Sequence, residues 1–138
     1  ILQLTLLIVS SFVSYSQNNA IDSLRKVLQT QKEDTGKVFT LNALSGKLGY
    51  YGDVSDALEY ANEALFLAKK LDHKAAIARS YAALSSVNTN AGNYPEAHKN
   101  LYSALNLFEE LEDWEKSAEC YTWSGFLKAL APRIAIFI

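Results

Sequence analysis

Three glycines and a neighbouring lysine are the first residues whose types and spacing could do chemistry. Gly46, Gly49 and Gly52 lie three residues apart, and Lys47 follows the first of them. A phosphate-binding loop also contains a Gly-Lys pair, but it follows a strand and has another glycine five residues before the pair. That position is Leu41 here, and the surrounding pattern is helical. We therefore expect Gly46 or Gly49 to allow a close helix contact and Gly52 to form a turn.

Two histidines and a single cysteine are the other residues that could support a metal site or a nucleophile. His73 and His98 share no Asp, Glu or Cys at ligand spacing, so we interpret both as solvated side chains. Cys120 has no histidine in its own unit to act as a base, which favours an inert, partly buried thiol. No set of nucleophile, base and oxyanion donors can be assembled. We expect no enzymatic activity, no metal and no cofactor.

Charge and aromatic content narrow the class of partner. The chain has 13 basic and 15 acidic residues, a net charge of −2, whereas nucleic-acid-binding domains carry a basic surplus. The acidic run 109–113 is expected to be a solvated helix end. Trp114 and Trp123 are expected to pack between units, with ligand stacking as the alternative. We predict a protein or peptide partner and no nucleic acid.

Residues 1–16 differ from the rest of the chain. They carry no charge, and Leu, Ile, Val and Phe dominate residues 1–13. A signal-peptide core has about 7–15 apolar residues, whereas a membrane-spanning helix needs about 20. Ser14 and Ser16 provide the small residues typical of a cleavage site before Gln17. We predict a signal peptide over residues 1–16, with a membrane anchor or a buried first helix as alternatives.

This prediction has consequences for location and completeness. We expect the remaining chain to be exported, either periplasmic or associated with the extracytoplasmic side of a membrane. Only the N-terminal segment, or a helix downstream of this sequence, would then contact the membrane. Because the sequence contains no methionine, we also expect a fragment or a processed product.

The rest of the sequence repeats itself at an offset of 40 residues. Asn42-Ala43-Leu44-Ser45 aligns with Ala82-Ala83-Leu84-Ser85, and Gly52 aligns with Gly92. A third copy begins where Tyr121 repeats Tyr81, and we therefore expect Tyr121 to be a core position. The matched residues are small or apolar, as packing would require. A fixed period of this length is the sequence signature of a repeat architecture.

Each unit is predicted to contain two helices. Val38, Leu41, Leu44 and Leu48 recur at spacings of three and four, so they share one face of a helix running from Asp34 or Thr35 to about 51. The second helix is predicted over about residues 54–71. The units are residues 34–73, 74–113 and a partial third over 114–138, after a capping helix within 17–33 whose apolar face carries Ile21, Leu24, Val27 and Leu28. No segment of the repeats has the pattern of a β-strand, so the predicted fold class is all-α.

The pattern resembles the tetratricopeptide repeat (TPR) family. The first unit contributes Leu41, Leu44-Ser45, Leu48, Gly52, Ala57, Ala61 and Ala64; the second contributes Tyr81, Leu84-Ser85, Asn88, Gly92, Tyr94, Ala97, Leu101 and Ala104; the third contributes Tyr121 and Gly125. The period is 40 instead of about 34, as in long-helix members. The resemblance covers residues 35 to about 127. It implies a right-handed α-solenoid of antiparallel helical hairpins.

The resemblance also implies a partner-binding face. In this family the first helix of each unit lines the concave surface, which binds partners. The family positions are Asn42, Gly46, Gly49, Tyr50, Arg79, Ala82, Ser86, Asn90, Glu119, Thr122 and Phe126. The subclass that clamps a peptide carboxylate has Lys and Asn where this chain has Asn42 and Gly46, then Ala82 and Ser86. That clamp is therefore absent.

A narrower resemblance concerns the N-terminal part of the chain. The stretch 33–38, followed by 41–45, is similar to the region after the signal peptide in exported bacterial sensor histidine kinases and related regulators. This resemblance implies a non-catalytic interaction module that forms the extracytoplasmic sensing part of a larger signalling protein. A free periplasmic TPR scaffold, an accessory domain of an enzyme and a purely self-associating repeat are the alternatives. The C-terminal tail, residues 126–138, departs from the repeat pattern. Pro132 is expected to stop the last helix there.

Overall fold

The computed structural model describes residues 19–135, with side chains described as far as residue 129. The predicted signal segment 1–16 and the last three residues lie outside this range. The described part of the chain is all-α, as predicted, and contains six helices without a strand. Helix α1 covers residues 19–30. The others are α2 (Thr35–Tyr50), α3 (Val54–Lys70), α4 (Lys74–Asn90), α5 (Tyr94–Glu110) and α6 (Trp114–Ala135).

Local side-chain capping explains where most of these helices begin. Asp34 accepts a hydrogen bond from the backbone N–H of Lys37 at 3.0 Å, and Asp53 caps α3 in the same way. His73, expected only to be solvated, caps α4, because its Nδ1 accepts from the N–H of Ala76 at 3.1 Å. Each cap pairs one of the N–H groups that a helix start leaves without an internal acceptor. Asn93 occupies the N-cap position of α5 but makes no side-chain cap bond.

The four links from α2 to α6 share one turn geometry. In each link one residue has a positive φ: Gly52 (91°), Asp72 (48°), Gly92 (74°) and Glu112 (56°). The residue after it donates its N–H to a carbonyl five residues back, as Asp53 does to Leu48 at 2.9 Å. This bond satisfies a carbonyl at the helix end and turns the chain sharply. The predicted turn at Gly52 is confirmed.

The short links make each helix pack against the next one in the sequence, and α2 also packs against α4. Buried positions recur at the offset of 40, with both members of each pair buried. The pairs are 38/78, 44/84, 45/85, 48/88, 57/97, 61/101, 64/104, 68/108, 80/120 and 87/127. Alanines dominate the buried face of α3, and small side chains allow a short distance between helix axes.

Two sequence predictions about single residues are wrong. Val27 was expected on the apolar face of the capping helix, but it is 47% exposed, whereas Ile21 of the same predicted face is buried. Tyr121 was expected in the core, but it is 59% exposed, and its hydroxyl donates to Glu109 at 2.6 Å. Cys120 is buried in its place. Among the described residues, no later helix covers the Tyr121 side of α6.

The predicted stop at Pro132 is also wrong. Helix α6 continues through it to Ala135. A proline removes one backbone hydrogen bond and clashes with the carbonyl four residues earlier, and the cost is largest in the middle of a helix. Pro132 lies in the last turn of α6 that the structure describes.

Candidate functional site

The structure places the predicted partner-binding residues on α2, α4 and α6. Asn42 and Ala82 are half-buried. The exposed members are Gly46, Tyr50, Arg79, Ser86, Asn90, Glu119, Thr122 and Phe126. Gly49 is the exception, because it is buried against Val87 of α4. The α2, α4 and α6 positions therefore leave most of this set accessible to a partner.

Four of these residues meet around one cavity, which we call the α4–α6 cavity. Arg79, Ala82 and Ser86 reach it from α4, and Glu119 reaches it from α6. The volume is about 250 Å³. Its remaining lining residues are Ser85, Leu101, Phe108, Lys116, Cys120 and Trp123. Asn42, Gly46, Tyr50, Asn90, Thr122 and Phe126 do not line it.

The cavity exists because α4 approaches α2 closely but does not approach α6 in the same way. Asn42 donates from Nδ2 to the Ser80 hydroxyl at 3.1 Å, which ties α2 to α4. One period later the corresponding residues are Ala82 and Cys120, which cannot repeat this bond. A Cβ at Gly49 would lie 3.3 Å from Val87, whereas the position one period later is Thr89. Helix α6 packs instead against α5.

The charges at the cavity favour an anionic ligand group. The Arg79 guanidinium lies over the ring of Phe39, 5.1 Å from the ring centroid, which fixes its position by a cation–π contact. No carboxylate within the described range lies within 4.0 Å of it. Lys116 is already paired, since its Nζ lies 2.7 Å from Glu119. That hydrogen bond raises the pKa of Lys116, so the pair stays charged and compensated while Arg79 remains available.

Sequence reasoning assigned Trp123 to packing between units, and the structure corrects this. Trp123 is 48% exposed, lines the α4–α6 cavity and makes an edge-to-face contact with Phe126 at 5.5 Å between ring centroids. Trp114, for which the same packing was expected, is 66% exposed. An indole beside an arginine offers both an apolar surface and a hydrogen-bond donor. The sequence spacing of Arg79, Ser86 and Trp123 did not indicate that they line one cavity, because these residues belong to two separate repeat units.

The comparisons with known proteins assign no family. No protein-family model matches the chain, and no curated protein matches it significantly. No helix in the range 19–135 is both long enough and apolar enough to cross a membrane. Those same residues contain no group of three or more His, Cys, Asp or Glu that could hold a metal ion. The geometry of the site therefore carries the functional argument.

Cys120 provides a direct probe of the cavity. It is 4% exposed, and burial together with the charge of Glu119 raises the pKa of its thiol. Since the thiolate is the reactive form, we expect the folded protein to react slowly with Ellman's reagent at mildly alkaline pH. In urea the same thiol should react at the rate of an exposed cysteine. Equal rates in the two conditions would contradict the burial of Cys120 against α5.

Proposed function

We propose that this chain is a non-catalytic protein-interaction module built as a TPR-like right-handed α-solenoid of antiparallel helical hairpins. The shared offset of 40 in sequence, in turn geometry and in burial supports this arrangement. In this arrangement α2, α4 and α6 form the concave face. Repeat arrays bind partners on such faces. The observation that carries the proposal is the convergence of Arg79, Ser86 and Glu119 on the α4–α6 cavity.

The chemistry of the cavity favours a peptide segment with one large apolar side chain beside an acidic group. Ala82, Leu101 and Phe108 supply an apolar wall, and Arg79 would pair with the carboxylate. The volume of about 250 Å³ lies below the roughly 300–1,000 Å³ of drug-sized ligand pockets. It therefore suits one anchoring side chain better than a whole cofactor. Hydrogen bonds to charged groups contribute about 1.5–3 kcal/mol.

We further propose that the module is exported and acts as the extracytoplasmic sensing part of a larger bacterial signalling protein. The apolar segment 1–16 supports this placement, as does the resemblance of residues 33–38 and 41–45 to exported bacterial sensor histidine kinases and related regulators. A free periplasmic scaffold is the alternative. Sequencing the gene beyond this chain distinguishes them, since a membrane helix followed by a kinase or DNA-binding domain supports the sensor. A stop codon after a few more repeats would support the scaffold.

Peptide selection tests the binding function. A random peptide library displayed on phage is selected against the purified protein, and the selected peptides are measured by fluorescence polarisation. We expect Arg79→Ala to weaken binding about tenfold, corresponding to about 1.4 kcal/mol. Ser86→Trp should block the cavity, because Ser86 is exposed at its edge and a larger side chain there does not disturb the core.

Tyr102→Ala is the matched control, because Tyr102 is 66% exposed on α5 and does not line the cavity. It should leave the affinity of the selected peptides unchanged. Failure to select any peptide would refute the proposed function. So would peptides whose affinity is the same for the wild type, Arg79→Ala and Ser86→Trp.

A further inference from the structure

One side of helix α6 carries a row of exposed residues, which we call the α6 stripe. Its members are Trp114, Ala118, Tyr121 and Gly125, and all four are exposed. They recur at spacings of four, three and four, so they lie along the same side of the helix. The buried residues of α6 lie on another side, which packs against α5. The α6 stripe shares no residue with the lining of the α4–α6 cavity, so it is a separate surface.

The preceding unit shows that a helix covers this side when the hairpin is whole. One period earlier, Ala118 and Gly125 correspond to Ala78 and Ser85 on α4. Ala78 is fully buried and Ser85 is 4% exposed. Ala78 belongs to an apolar cluster that is built mostly by α5. Within the described part of the chain, no helix covers α6 as α5 covers α4, so the α6 stripe has the pattern of a helix-packing surface without its partner.

The α6 stripe alternates large and small residues, and this makes it complementary to itself. Trp114 is 66% exposed and Tyr121 is 59% exposed, whereas no atom lies within 4 Å of a Cβ built at Gly125. When a second α6 runs antiparallel with its Gly125 opposite Trp114, its Ala118 falls opposite Tyr121, because the two spacings of four residues are equal. Each large residue then faces a small one, as interdigitated packing requires. A parallel pair would instead place large against large and small against small.

The charges near the two ends of α6 favour the same antiparallel arrangement. Glu112 and Glu115 lie at or just before its first turn, and Lys128 lies towards its other end. Among the described residues, none of these three has an opposite charge within 4.0 Å. In the antiparallel register, Lys128 falls beside Glu112 of the second copy. Antiparallel helices also place opposite ends of their dipoles together, whereas a parallel pair would bring like charges together.

We propose that the α6 stripe is a self-association surface, on which a second copy of this chain packs its own α6 in the antiparallel direction. Trp114 of each copy packs on Gly125 of the other, and Tyr121 packs on Ala118. The hydrogen bond from the Tyr121 hydroxyl to Glu109, at 2.6 Å, holds the ring in place. A contact of this two-fold kind closes at two copies. Because four residues per copy form a contact smaller than the roughly 1,200–2,000 Å² of stable interfaces, we expect a weak dimer.

Sedimentation velocity of the purified protein over a concentration series tests the proposal. The measured mass should rise from that of one chain at low micromolar concentration to that of two chains at high micromolar concentration. Gly125→Trp should weaken dimerisation about tenfold or more, because it places a second large residue opposite Trp114. The space around Gly125 is open, so we expect this variant to fold, which circular dichroism checks. Combining it with Trp114→Ala again sets a large residue opposite a small one and should restore the dimer.

Asn106→Trp is the matched control for the added indole. Asn106 is exposed on α5 and lies outside the α6 stripe, so this variant should dimerise like the wild type. If Gly125→Trp fails to fold, Trp114→Ala alone still decides the proposal, because it removes the largest side chain of the α6 stripe and should also weaken the dimer.

A wild type that stays monomeric over the whole concentration series would overturn the proposal. So would oligomers of more than two copies, or a dimer that neither Gly125→Trp nor Trp114→Ala weakens. A combined variant that dimerises no better than Gly125→Trp alone would refute the antiparallel register. The α6 stripe and the α4–α6 cavity fail separately, since Gly125→Trp is expected to leave the affinity for a selected peptide unchanged.

Discussion

Leu44→Ala is expected to lower the free energy of unfolding by about 2–5 kcal/mol, the usual cost of truncating a buried leucine. The Leu44 side chain is fully buried. It belongs to an apolar cluster that includes Ile21, Ala57 and Val87 and so joins α1, α2, α3 and α4. Alanine would remove apolar contacts and leave a cavity that these four helices cannot close without moving. Small domains are stable by only about 5–15 kcal/mol, so this loss is a large fraction.

Urea unfolding followed by circular dichroism measures the effect. Phe66→Ala is the control, since Phe66 is also a large apolar residue but is 70% exposed on α3. Its effect should stay within about 0.5 kcal/mol, as for most surface substitutions. A loss below about 1 kcal/mol for Leu44→Ala would be less than the lower limit for buried leucines and would contradict a packed core at the junction of α1 to α4.

Gly49→Leu is expected to lower the free energy of unfolding by about 1–3 kcal/mol or more, because the α2–α4 contact has no room for a side chain. A Cβ at Gly49 would lie 3.3 Å from Cγ2 of Val87 and 3.6 Å from Cβ of Ala57. The atoms beyond Cβ would then collide with α4 or α3. Both helices would have to move away from α2, and the Asn42–Ser80 hydrogen bond would lengthen.

Gly46→Leu is the matched control on the same helix. No atom lies within 4 Å of a Cβ built at Gly46, so the side chain would point into open space. Leucine favours a helix over glycine by several tenths of a kcal/mol to about 1 kcal/mol. We therefore expect Gly46→Leu to raise the stability while Gly49→Leu lowers it. Changes of the same sign in both variants would show that α2 and α4 do not meet at Gly49.

Much of the local structure was predictable from the sequence. Helices α2 and α3 end within one residue of their predicted bounds. Val38, Leu41, Leu44 and Leu48, which share one predicted face, are all buried. Of the three glycines, the one that makes a close helix contact is Gly49, whereas Gly46 does not. The sequence alone left that choice open, because glycine spacing does not reveal which side of α2 meets α4.

The candidate sites were less predictable. The sequence placed Arg79 and Glu119 on one face by a family resemblance, but it did not indicate that they border a cavity with Trp123. The residues that line a cavity come from different helices, and they meet only when those helices pack. Tyr121 was misassigned for a related reason: its equivalent Tyr81 packs against later helices, which α6 lacks among the described residues.

The sequence by itself determined the helices, the cap at Asp34, the turn at Gly52 and the period of 40, because these depend on interactions between residues only a few positions apart. A capping side chain, a residue with positive φ and a stripe of apolar residues at spacings of three and four all act within one helix or link. Only the tertiary structure decided which faces are covered and where cavities remain. The burial of Cys120 and Asn88 depends on how closely separate helices approach, and that distance follows from all the side chains at each contact.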